Sequence, residues 1–161
     1  TKISHFIKNY DLRSYAKSFF VDYPRISLDL KYKDYQYLRY DRAQSLIKGI
    51  HIGNAEYVPG TIRENGTIAE YKAKFRIKGN TPEHWTDDNI WSLKIKMDGD
   101  NTLFGMKEFS IMHPARRAYL DEWYYHKFLK YSGLIFHRYD FVGVTINGKN
   151  MGVYAIDEGI E

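Results

Sequence analysis

An α+β domain, a mostly antiparallel sheet with one principal helix packed on it, is what this sequence predicts. Three observations carry the expectation. Apolar and charged residues alternate through 68–78 and 91–97, the period of a half-buried strand. Residues 115–131 place Leu120, Trp123, Tyr124, Phe128 and Tyr131 at helical spacing, giving a wide apolar stripe. Asn65-Gly66 and Asn147-Gly148 are hairpin-turn dipeptides, each followed by an alternating run.

The elements follow in order. Residues 1–23 carry Phe6, Ile7, Tyr10, Leu12, Tyr15, Phe19 and Phe20 at roughly helical spacing, and Pro24 ends the pattern. In residues 25–33, Ile26, Leu28, Leu30 and Tyr32 alternate with polar partners and predict a strand. Residues 35–48 fit either a helix or extended structure followed by a turn. After the turn-rich 49–66, Tyr71, Ala73, Phe75 and Ile77 face one way and Lys72, Lys74, Arg76 and Lys78 the other. Trp91, Leu93, Ile95 and Met97 oppose Ser92, Lys94 and Lys96 in the next strand, and 109–112 is a short one. His113-Pro114 launches the long helix, which Gly133 stops. Residues 140–146 and 151–157 form a closing hairpin around Asn147-Gly148-Lys149-Asn150.

At 161 residues the chain is expected to be a single domain or part of one, long enough to bury a core. Its 15 Tyr, 9 Phe and 3 Trp suit sheets and broad helix faces. The formal net charge of +4 favours anionic partners without choosing among them. Basic residues near Lys31-Tyr32-Lys33 and Tyr37-Leu38-Arg39-Tyr40 are interrupted by acidic ones, which argues against nucleic acid. The chain has no cysteine, so disulfides, thiol nucleophiles and zinc–thiolate sites are excluded. No apolar run approaches the ~20 residues that span a bilayer, and no signal-peptide pattern is seen.

Three constellations bear on chemistry. Arg76 and Lys78 share one strand face, Lys94 and Lys96 another. If those strands are neighbours, the four cations converge beside Gly79-Asn80 and balance phosphate charge. A solvated sheet face is the ordinary explanation, and the pattern alone favours it. Glu122 on the long helix has the position of a carboxylate that orients a strand lysine toward nucleotide phosphates. It also stands four residues before His126, where a local pair is the simpler account. Asp157-Glu158 and Glu161 are oxygen ligands of the kind magnesium prefers, but adjacent strand residues face opposite ways, and a charged strand exit is the stronger reading. The six histidines show no metal-ligand spacing. Trp85 and Trp91 flank the acidic turn 86–89 and read as core residues, with a carbohydrate platform as the lesser alternative.

Residues 75–158 nevertheless resemble the CotH kinase family in order and content. The resemblance rests on Arg76-Ile77-Lys78-Gly79-Asn80, the basic strand 92–97, LFGMKEFSI at 103–111, His113-Pro114, the Arg-containing helix from 116, Gly133-Leu134, and 139–158 ending GVYAIDE. It covers about half the chain, and FGMKEFSI through GVYAIDE is its most specific part. It implies the N-terminal lobe of an atypical kinase-like domain that binds ATP with magnesium and phosphorylates coat or cell-surface proteins. Arg76, Lys78, Lys94, Lys96 and Glu122 then become the candidates for phosphate-binding and orienting roles. The family's catalytic and metal-binding aspartates match no position here and are expected beyond Glu161, so this segment is expected to bind ATP weakly and to transfer nothing. The resemblance also implies a cell-surface, spore-coat or secreted setting, with a protein substrate and a possible extracellular polymer as partners. The alternative is a non-catalytic surface or coat module that binds polymer or protein.

Overall fold

The structure is a computed structural model and describes residues 22–51 and 56–159. The helix expected within 1–23 lies almost wholly outside the described residues. Among the described residues there are seven strands: β1 (Arg25–Asp29), β2 (Val58–Glu64), β3 (Glu70–Ile77), β4 (Leu93–Met97), β5 (Glu108–Met112), β6 (Tyr139–Ile146) and β7 (Lys149–Glu158). The helices among the described residues are α1 (Tyr32–Lys48) and α2 (Asp121–Tyr131), with short 3-10 turns at Pro82–His84 and Pro114–Arg117. Residues 35–48, open between helix and extended chain in the sequence, lie within α1.

The strands form a closed barrel in the order β1-β2-β3-β4-β5-β7-β6. This overturns the expected α+β sheet with a principal helix packed on it and the kinase-lobe architecture drawn from the resemblance. The physical reason lies in β1. It pairs antiparallel with β2 through Leu28↔Ile62 and parallel with β6 through Ile26↔Val144. With both edges of β1 satisfied, no described strand leaves an open sheet edge, and the core lies inside the barrel. Ile26, Ile62, Phe75, Ile95, Phe109, Ile111 and Val142 are all fully buried there. The alternation in β3 and β4 sorts as the sequence pattern requires, with Phe75 and Ile95 inward and Arg76 and Lys94 outward.

Helix α2 contributes little to that core. A 3-10 turn replaces its expected first residues, and Ala118 and Tyr119 both adopt positive φ, so the α-helix begins only at Asp121. Of its side chains only His126 is buried; Leu120 just before it, and Tyr124, Phe128 and Tyr131 from the expected stripe, are exposed. Trp123 is half-buried and packs with Phe141 against Met112, Tyr139 and Ala155 on the outside of the barrel. Among the described residues no helix is long and apolar enough to cross a membrane.

Candidate functional site

Strand register brings one line of polar side chains across the outer face of the barrel. Arg76 of β3 lies opposite Lys94 of β4, Lys94 opposite Ser110 of β5, Ser110 opposite Asp157 of β7, and Asp157 opposite Tyr139 of β6. Neighbouring strands are about 4.8 Å apart, so the line places cations at one end and a carboxylate and phenol at the other. On one side lies Lys96 opposite Glu108. On the other is Lys78, whose backbone N–H donates to the Ser92 carbonyl at 2.9 Å.

Carboxylates tie the lysines down. Lys78 Nζ is 3.6 Å from Asp157 Oδ2, Lys94 pairs closely with Glu108, and Lys96 is 3.4 Å from the same carboxylate. Burial pushes the Lys78 ammonium below the usual lysine range; Asp157 opposes that shift, while the positive charges of Arg117 and Lys94 add to it. Positive charge is therefore crowded around Lys78 despite the pairing. Two guanidinium donors nearby, Arg76 Nε and Arg116 Nε, are buried and have no hydrogen-bond partner. The Arg76 guanidinium lies 5.1 Å above the Tyr57 ring.

The end of β3 is shaped by Gly79, at φ 86°. A Cβ there would collide with the His84 ring, so only glycine lets the 82–84 turn pack this closely against the end of β3. His84 Nδ1 is 3.0 Å from Ser92 Oγ. Burial, then Lys78, hold the His84 imidazolium below its ordinary pKa.

Beyond Asp157 the face meets helix α2. Glu122 Oε1 is 3.4 Å from His126 Nε2, one turn along the helix. The His126 and His137 rings meet edge-on with centroids 3.9 Å apart, and His126 also stacks on Tyr139 at 6.1 Å. His137 Nδ1 faces the Glu158 carbonyl at 3.3 Å and Asp157 Oδ1 at 3.2 Å. The second approach lacks hydrogen-bond alignment, since Asp157 Oδ1 has no hydrogen-bond partner. Burial, then the Glu122 and Asp157 carboxylates, raise the Tyr139 phenol to about 12.

The fold thus brings Arg76, Lys78, Lys94 and Lys96 onto one face, β3 and β4 being adjacent. Glu122 is paired with His126 rather than with any of these lysines. Asp157 and Glu158 serve different partners: Asp157 meets Lys78 and His137, while Glu158 meets Arg138 at 3.5 Å. Trp85 is buried in the main core, and Trp91 stacks on Tyr35 with the Arg42 guanidinium over its ring. His113 accepts a hydrogen bond from the Ala115 N–H through Nδ1 and caps the 3-10 turn. Sequence reasoning did not reach Glu108, Arg116, Arg117 or the His126–His137 contact. For Glu108 the alternation of 108–112 was a usable signal; the histidines become neighbours only through the turn between α2 and β6. The chain matches no protein-family model and no curated protein.

Proposed function

We propose that this chain supplies the nucleotide-facing, phosphate-handling part of a CotH-like ATP-dependent kinase acting on coat or cell-surface proteins. The observation that carries the reading is the placing of Arg76 and Lys94 side by side on one outer face, with Arg117 and Lys94 acting on Lys78 and the buried Arg76 Nε–H lacking a partner. A polyphosphate placed there relieves cation–cation repulsion and takes up the orphaned donor. Phosphoryl transfer asks for such charge neutralisation and positioning. Magnesium fits less directly. The face offers it Asp157 and Glu108, both held by lysines, so the ion would arrive on the phosphates rather than in a protein cage. ATP would supply the γ-phosphoryl group, while these side chains would bind and orient it.

Isothermal titration with ATP and magnesium tests the reading. Weak binding is expected, lowered about tenfold in Lys94→Met and in Lys78→Met, the worth of one charge-assisted hydrogen bond. Absence of heat with ATP, or binding indifferent to both substitutions, overturns it. A second reading, a non-catalytic module that binds a protein partner, is favoured by the uncovered aromatic side of α2, where Tyr124, Phe128 and Tyr131 are exposed. It is the reading left standing if no nucleotide binds.

A further inference from the structure

We propose that Glu122, His126 and His137 form a binding site for a first-row divalent transition-metal ion, with zinc(II) as the reference case. One ligand atom from each residue lies within 4.8 Å of the other two. Tetrahedral ligands 2.0–2.2 Å from zinc are about 3.4 Å apart, so side-chain shifts of about 1 Å complete the set. The donors are two imidazoles and one carboxylate, which suit borderline ions and not magnesium or calcium.

Independent observations point to a ligand at this place. His126 is 95% buried, and its Nε2 faces Glu122 Oε1 at 3.4 Å, which sets two donor atoms side by side in a protected place. The buried Tyr139 hydroxyl stacked beside that ring has no hydrogen-bond partner, a costly state. His137 is already oriented for coordination. Its Nδ1–H donates to the Glu158 carbonyl at 3.3 Å, which leaves the Nε2 lone pair for a metal. Asp157, 3.2 Å from the same nitrogen, supplies outer negative charge. Two of the nearby cations are paired elsewhere, Lys127 with Asp140 and Arg138 with Glu158. A groove of about 340 Å³, lined by Phe104, Met106 and Ile156 among others, reaches both histidines and gives an ion a way in.

The two elements explain the geometry. Glu122 and His126 are four residues apart on α2 and share its inward side. His137 stands just before β6 begins, at the foot of the same helix. The site shares Asp157 with the cationic face, but it needs no nucleotide and stands independently of that reading.

The test uses the full, untagged chain with cobalt(II) and zinc(II) alone. Cobalt(II) is expected to give visible ligand-field bands saturating at one equivalent, displaced by zinc(II). Glu122→Gln and His137→Asn, whose positions are only half-buried, are each expected to lower affinity at least about tenfold with an unchanged circular dichroism spectrum. His84→Asn, outside the site, is expected to bind as the parent does. The proposal is overturned by absence of cobalt bands and zinc heat at millimolar metal, or by affinity retained in both Glu122→Gln and His137→Asn.

Discussion

At His84 burial and positive charge act in the same direction. The ring is half-buried beside Ser92, and Lys78, Arg117 and Arg116 disfavour its protonation, with Glu83 alone in opposition. Its folded pKa is therefore depressed below the ordinary value of 6.5. Between those two values the unfolded chain binds a proton that the folded chain refuses, so this residue's contribution to stability falls as pH drops through that window. Above pH 6.5 both states are neutral and the contribution is flat. Urea unfolding from pH 7.5 down to 5.5 is expected to show a stability loss that His84→Asn reduces; an unchanged slope in the variant refutes the assignment. At this scale the sequence was a fair guide to faces: alternation puts Arg76 with Lys78 and Lys94 with Lys96, and the β3–β4 pairing joins the two faces. It gave no sign of which carboxylates meet them. Glu108 reaches Lys94 from the next strand, whereas Asp157 reaches Lys78 from β7, far along the chain.

Helix α2 shows why an apolar stripe is weak evidence of burial. Helical spacing makes Tyr124, Phe128 and Tyr131 neighbours, but the docked side is set by Trp123 and His126, which meet a small patch of Met112, Tyr139 and Ala155. That patch lies outside the barrel, where no periodicity in α2 reveals it. The helix is fastened by few contacts, chief among them Trp123, whose Nε1–H donates to Asp140 at 3.2 Å while Lys127 lies 5.0 Å above its ring. Trp123→Ala is expected to destabilise α2 by roughly 2 kcal/mol, about half the cost of truncating a fully buried aromatic. The barrel should remain folded. Hydrogen exchange read by mass spectrometry checks this: amides of 121–131 lose protection while those of β3, β4 and β5 keep it. Equal loss across the barrel would mean that α2 is an integral part of the core.

Closure of the barrel is a property of the whole chain, and it was the part least legible beforehand. Strand existence and facing come from local period, whereas the β1–β6 pairing joins residues more than a hundred positions apart and leaves no mark on either strand's pattern. β1 is five residues long, yet it is the piece that seals the sheet. Ile26 sits at that seam, fully buried and in register with Val144 on one side and Glu64 on the other. Ile26→Ala is expected to cost about 2–5 kcal/mol, the range for deleting a buried isoleucine side chain. Because one core fills one closed barrel, the loss should appear as a single earlier transition. Far-ultraviolet circular dichroism and the fluorescence of buried Trp85 should then move together. An open sheet with β1 as a dispensable edge predicts the contrary: β1 would detach first, and β3, β4 and β5 would hold their amide protection through a separate, later transition. Two resolved transitions in Ile26→Ala therefore count against closure, and one shared transition supports it.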